Sequence, residues 1–443
     1  MKKLNITFCS FPDFSSNTKA LYEYMVKRYK DNMNLVWIVR CDEAYERLKK
    51  ANIKVYKMGT SDYYDYVKAT DVFFTTHEDL VHDKNESALY IDFWHAIGPK
   101  PVGYLVKNSN LRDEPWYDYV RRKVDYIITP SDFWSTIFSS MFGVKPERTL
   151  SLGLPIFDHI KYADGKSNLA TILGLDVNKY NKIIYYMPTY RKGYSRESES
   201  KVNNNNIFNF DAYDEKKLFN YLKKNNFLLC VKRHPSEELE FNQPENDNIR
   251  VITDEMLKEK SITVNEILNA ADIMITDYSS VGVEFLFLNR PVIYIDKDEE
   301  EYRNNRGIIL GDYSLWTQGV TCSDLNGLQK IIDDLIKNNL DFNYYYNQRK
   351  NLWFGNLQDG GCKQICDYLF DGNKISKNVK YYKDNEEILE ESNKEYKDII
   401  DSQNETINRL TNSEIELNLM KNSKGWKLLE KARKIKNKIT FWK

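Results

Sequence analysis

Ala271-Asp272-Ile273-Met274-Ile275-Thr276-Asp277-Tyr278-Ser279-Ser280-Val281-Gly282-Val283-Glu284-Phe285 runs from an apolar stretch of strand character, through a short polar turn with two hydroxyls, into an apolar helical stretch. Arg290-Pro291-Val292-Ile293-Tyr294-Ile295 follows as the next strand. Strand, helix and strand in this order form the repeating unit of a parallel sheet with covered faces. The first turn of a helix leaves N–H groups unpaired, and its dipole favours negative charge. A phosphate or diphosphate is therefore expected near residues 277–281, with Ser279 and Ser280 adding side-chain donors. Asp and Ser at a helix start are also ordinary N-caps, so this fragment alone leaves both readings open.

Working outward, short apolar runs at 4–9, 34–39, 53–58, 71–75, 88–93 and 124–129 read as strands, several of them separated by helical patterns such as Thr18 to Tyr29. A second series follows at 183–187, 227–232, 249–252, 273–276 and 291–295, with helical segments at Asp214–Lys224 and Val264–Ala270 between strands. The fold class expected is α/β: two Rossmann-type domains facing a cleft, plus a helical C-terminal tail. The polar stretch after Asp158 places the boundaries at 1–165, 166–372 and 373–443. Arg196–Asn206 reads as a mobile loop, and 325–371 reads as helices.

The chain has 443 residues, more than a single ordinary core organises. Lys and Arg number 64 against 65 Asp and Glu, so no global charge draws it to nucleic acid. Six cysteines form no CxxC pair, and only five histidines are present, which points to reduced thiols, a cytosolic compartment and no structural zinc. The apolar run after Met1-Lys2-Lys3 is too short for a signal peptide, and no stretch approaches the length of a transmembrane helix.

The tail changes character twice. Residues 384–420 are strongly acidic, with Tyr396, Ile400, Ile407, Leu410 and Leu417 spaced near a heptad. Residues 421–443 are basic, with Glu430 alone against the lysines and Arg433, and Trp426, Leu428, Leu429, Phe441 and Trp442 interleaved. The basic part is expected to lie as an amphipathic helix on an anionic membrane surface. The acidic part is expected to act as a helical spacer or self-association segment.

Ligands in such sheets sit beyond the carboxyl ends of strands. The residues placed there are Trp94-His95, Pro188-Thr189-Tyr190-Arg191, Arg233-His234-Pro235 and Asp277-Tyr278-Ser279-Ser280. Three of these four offer phosphate-binding chemistry: an Arg with a Thr hydroxyl, an Arg–His pair, and a Ser-Ser helix start. Asp296-Lys297-Asp298 mimics the DxD metal motif of GT-A glycosyltransferases, but Glu299, Glu300 and Glu301 follow directly, as in a solvated acidic loop. His77 and His82 read as parts of a loop near the acceptor side, and His159 as structural.

These pieces resemble the CDP-glycerol:poly(glycerophosphate) glycerophosphotransferases, enzymes that prime and polymerise teichoic acids and similar capsule polymers. The resemblance rests on Ser16-Asn17-Thr18-Lys19-Ala20-Leu21-Tyr22, Trp94-His95 with Lys100 and Gly103, Gly153-Leu154-Pro155 with Asp158, and Pro188-Thr189-Tyr190-Arg191. It continues with Arg233-His234-Pro235, Thr276–Val281, Tyr302 with Arg306-Gly307, and Asp359-Gly360, in family order over roughly residues 5–370. Two departures are Ala96, where the family usually has Gly, and Ile156, where it usually has Arg.

The resemblance implies a GT-B-like pair of domains and transfer of a phosphopolyol from a CDP-activated donor to a hydroxyl of a lipid-linked or polymer acceptor, with release of CMP. It implies His95 as base from the first domain and His234 at the donor diphosphate, as donor or acid. Thr189, Arg191, Arg233, Ser279, Ser280 and Arg306 are expected to contact the donor phosphates. Asp277, whose carboxylate would repel a diphosphate, is expected to cap the helix or orient His234. No metal or other cofactor is expected. The location implied is the cytoplasmic face of the cell membrane. A GT-B glycosyltransferase using a nucleotide sugar and a non-catalytic membrane-associated scaffold are the alternatives.

Overall fold

The computed structural model describes residues 3–77, 87–106, 117, 123–189, 206–233, 246–317, 320–357, 359–371 and 375–431. The chain divides into two compact units, Met1–Ile375 and Ser376–Lys443.

The first unit holds two parallel sheets. One has seven strands in the order β3-β2-β1-β4-β5-β6-β7, with β1 Leu4–Phe8, β2 Met33–Val39, β3 Val55–Lys57, β4 Val72–Thr75, β5 Leu89–Asp92, β6 Tyr126–Thr129 and β7 Thr149–Ser151. The other has six in the order β10-β9-β8-β11-β12-β13, with β8 Lys182–Tyr186, β9 Phe227–Val231, β10 Ile249–Val251, β11 Ile273–Thr276, β12 Val292–Ile295 and β13 Thr321–Cys322. The central strands β4, β5, β6, β9, β11 and β12 are buried throughout. That is why they read in the sequence as continuous apolar runs and not as alternating ones.

Two strands escape the sequence reading. β7 and β13 are three and two residues long and sit at sheet edges, so neither carries an apolar run. The stretch expected as a helix over Val264–Ala270 is instead two 3-10 turns, Val264–Glu266 and Leu268–Ala270. The loop expected at Arg196–Asn206 lies outside the described residues except for Asn206.

Segments cross between the two sheets' layers. Phe157, on the Ile156–Tyr162 helix, stacks on Phe287 at 4.4 Å. Gly165 approaches Asn269 so closely that a β-carbon would meet its side-chain oxygen. The C-terminal part of the unit returns to the first sheet's layer: Gly361 N–H donates to Leu154 O at 3.2 Å, and Arg28 pairs with Asp367 and Asp371 at 2.9 and 2.5 Å. Residues near 360–371 therefore pack on the first sheet's layer, although their order in the chain assigns them to the second domain.

The second unit is dominated by a 48-residue helix, Ile375–Asn422. Among the described residues no helix is long and apolar enough to cross a membrane.

Candidate active site

β5 ends at Asp92, and the chain then turns through Phe93 and Trp94 to His95. Trp94 has φ 54°, in the left-handed region that a bulky aromatic residue seldom enters. Two hydrogen bonds, each braced by a second, hold it there. Asp92 Oδ1 accepts the Trp94 N–H at 2.6 Å, and the buried Asp92 is itself held by the Thr75 hydroxyl at 2.5 Å. Asn17 Nδ2 donates to Trp94 O at 3.1 Å, while Asn17 Oδ1 accepts the Ile156 N–H at 3.1 Å. Asn17 is fully buried, so one side chain ties the His95 turn to the start of the Ile156–Tyr162 helix.

His95 is exposed on this wall. Its ring stacks on His77 at 4.2 Å with 1° between planes. Partial desolvation of the ring on this wall, then His77, then Lys100 lower its pKa below the ordinary imidazole value. The ring is therefore neutral at pH 7, the state in which it accepts a proton. His77 Nδ1 lies 2.9 Å from the Thr76 hydroxyl.

The chain after His95 meets the second sheet's side. A β-carbon on Gly98 would sit 3.0 Å from Ser280 Cα, so this glycine permits close approach to the Ser280–Phe285 helix. Pro99 O accepts the Ile309 N–H at 2.7 Å. Pro101 lies against Gly307, whose φ of 87° turns the chain just after Arg306. Lys100 has its pKa pushed down to about 8, by burial first and by Arg306 second. Lys100 and Arg306 are therefore close like charges, an arrangement an anion would relieve.

On the second sheet's side the loops after β8 and β11 are stitched together. Thr276 Oγ1 donates to Met187 O at 2.6 Å, and Asp277 Oδ1 accepts the Thr189 N–H at 2.7 Å. Asp277 thus ties the turn before the helix to the loop carrying Thr189. The Thr189 hydroxyl is buried with no partner among the described residues. Ser279 stands at the N-cap position without a side-chain capping bond, and it is half-buried. Ser280 bonds to Glu284, whose pKa rises to about 7 because burial outweighs the bonds from Asn265 and Ser280. Beneath this turn Tyr278 stacks on Tyr302 at 3.9 Å.

The structure brings His95, Ser279, Ser280 and Arg306 to one region through the Gly98 and Pro101 contacts, and it ties Thr189 to the same turn through Asp277. Arg233 is buried, and its Nη2 donates to Ile207 O at 3.3 Å, so here it anchors the chain near Ile207. His234, Arg191 and His82 lie outside the described residues. Asp298 accepts the Tyr278 hydroxyl at 3.0 Å, and Lys297 pairs with Asp211, so the Asp-Lys-Asp run has structural partners. His159 bonds Glu23 at 2.9 Å. With Glu266 these two form a group, among the described residues, whose ligand atoms lie close enough together for a metal ion. Lys19 Nζ already sits there, 2.5 Å from Glu266 and 3.6 Å from Glu23.

Sequence reasoning assigned no role to Asn17, Asp92 or Lys100 and did not link His77 to His95. Asn17 and Lys100 stood within quoted motifs, but their work depends on partners more than seventy residues away or across the cleft.

Residues 1–371 match the CDP-Glycerol:Poly(glycerophosphate) glycerophosphotransferase family. The chain is 27% identical over 329 residues to the teichoic acid glycerol-phosphate primase of Bacillus subtilis (strain 168), covering 71% of this chain and 80% of that one. It is 24% identical over 374 residues to the teichoic acid glycerol-phosphate transferase of Staphylococcus aureus (strain NCTC 8325 / PS 47), covering 81% and 90%. Its fold resembles that of the wall teichoic acid polymerase TagF, with a TM-score of 0.64 and 22% identity over 85% of this chain and 89% of that one. The architecture is thus GT-B-like, with two parallel α/β sheets and a helical C-terminal region. With its motifs in order and its match spanning both sheets, the chain belongs to the CDP-glycerol:poly(glycerophosphate) glycerophosphotransferase family.

Proposed function

We propose that the protein transfers a phosphopolyol from a CDP-activated donor to a hydroxyl of a lipid-linked or polymer acceptor, in the synthesis of a teichoic-acid-like or capsule polymer. The observation that carries this reading is His95 stacked on His77 on one wall, next to a loop whose Gly98 and Pro101 pack against the Ser280 helix start and the Arg306-Gly307 turn.

In this reaction His95 takes the proton of the acceptor hydroxyl. The acceptor oxygen bonds to the phosphorus that carries the polyol. The bond from that phosphorus to the bridging oxygen breaks, and CMP leaves with the electron pair. Lys100, Arg306, Thr189 and the Ser279-Ser280 turn bind the phosphate oxygens, where fixed cations and donors stabilise growing charge. His234 serves the leaving phosphate. The two cations supply the charge that a metal would otherwise bring, so transfer proceeds in the presence of a chelator.

The direct test is CMP release from CDP-glycerol and CDP-ribitol, with UDP-sugars alongside and with EDTA present. Release of CMP from a CDP-polyol, lost in His95→Gln, supports the reading. Turnover of UDP-sugars alone overturns it in favour of a glycosyltransferase.

The enzyme acts at the cytoplasmic face of the membrane through its basic tail. Lys421, Lys424, Lys427 and Lys431 are exposed, and Trp426 is half-buried; residues 432–443 lie outside the described part. Each basic side chain near an anionic leaflet contributes about 1 kcal/mol. Flotation on anionic vesicles of the full chain, but not of a chain ending near residue 420, is the expected outcome.

A further inference from the structure

The helix Ile375–Asn422 displays Ile400, Ile407, Leu410 and Leu417 at 54, 58, 64 and 44% exposure. With Tyr396, Gln403, Glu414 and Lys421 they complete a run of a and d heptad positions, spaced 4, 3, 4, 3, 4, 3, 4. A seam with this period is what a coiled coil buries. This spacing reads the same in both directions, and so does the chemistry. When two copies are laid antiparallel about a point between Asn408 and Arg409, Ile407 meets Leu410 and Ile400 meets Leu417. The polar layers also pair usefully: Gln403 faces Glu414, an amide donor to a carboxylate, and Tyr396 faces Lys421.

We propose that residues 396–421 form an antiparallel two-stranded coiled coil with a second copy of this chain. The seam spans 26 residues, about 39 Å of helix. A surface that is its own complement in reverse is what a two-fold interface requires. The parallel alternative sets Glu414 against Glu414 and Lys421 against Lys421 in the same layers, placing like charges together in both. Around the dyad the flanking positions Asn404, Thr406, Thr411 and Ser413 are uncharged, so nothing there opposes the approach.

Lys424, Lys427 and Lys431 lie beyond the seam, past the end of the helix at Asn422. The helix breaks at Ser423, whose hydroxyl accepts the Trp426 N–H at 3.3 Å and so starts the next turn with those lysines exposed. An anionic bilayer does not suit this face, because 384–420 is itself acidic. The inference goes beyond the transfer reaction and does not depend on it.

The test uses the full chain. Sedimentation equilibrium at micromolar concentration is expected to return twice the chain mass. Ile407→Asp combined with Leu410→Asp is expected to return the single mass with CMP-releasing activity kept, since both side chains are exposed. Orientation is read from disulfides in a Cys41→Ser background, Cys41 being exposed while the other cysteines are buried. Mixed Gln403→Cys and Glu414→Cys chains are expected to cross-link, and each chain alone is not. A monomeric wild type, a dimer that survives the double aspartate substitution, or Gln403→Cys linking to itself each overturns the proposal.

Discussion

Lys100→Met is expected to make the protein more stable and less active. The Lys100 ammonium is partly buried beside Arg306, and its pKa falls from 10.5 to about 8. At 1.36 kcal/mol per pH unit that difference corresponds to roughly 3 kcal/mol, and about 2 kcal/mol remains after discounting for partial exposure. The unfolded chain keeps its proton up to 10.5 and the folded chain only to about 8, so between these values the unfolded state binds more protons. Stability then rises with pH across this window, and the cost is fully present below pH 8. Met fills the same space without the charge. Urea unfolding at pH 7 should show Lys100→Met more stable than wild type by about 2 kcal/mol, with the gap narrowing as pH rises from 8 toward 10.5. CDP affinity should fall roughly ten- to a hundredfold, the loss of one bond to a charged group. A variant less stable than wild type at pH 7, or a gap that does not narrow as pH rises, would refute the argument that Lys100 is a strained cation kept for an anionic ligand.

Other substitutions probe the same site. His95→Ala should lower kcat by on the order of a hundred- to ten-thousandfold with CDP binding nearly intact; in the wild type the acid limb of kcat/KM should lie below pH 6.5, because the imidazole is held below that value. Asn17→Ala leaves Trp94 O and the Ile156 N–H without their partner and should cost about 2–5 kcal/mol in urea unfolding, with kcat falling as the His95 turn loosens; unchanged kcat would show that Trp94 O does not set His95. Ser279→Ala with Ser280→Ala should weaken CDP binding by roughly 1–3 kcal/mol in calorimetry while the fold survives. Unchanged affinity would move the phosphate site elsewhere.

Much of the architecture was legible in the chain because parallel strands with covered faces read as short apolar runs, and β4, β5, β6, β9, β11 and β12 are buried throughout. The polar residues just beyond them, His95, Thr189, Asp277, Ser279 and Ser280, follow from the rule that ligands gather at carboxyl ends of strands. The ordered motifs then pointed to the family. The sequence by itself could also supply the heptad of the tail, since a helix displays its period without help from other segments.

What only tertiary structure decided concerns partners distant in the chain. That Asp277 serves Thr189, that Asn17 holds Trp94, and that Arg233 anchors Ile207 depend on which loops meet. The left-handed turn at Trp94 has no local signature, because Asp92 holds its N–H and Asn17 its carbonyl, one in each of the two peptide units that flank the residue. Lys100 is an ordinary lysine until folding sets it beside Arg306 and removes its water. A side chain's pKa and its partners come from neighbours gathered by packing, and composition and spacing do not record those neighbours.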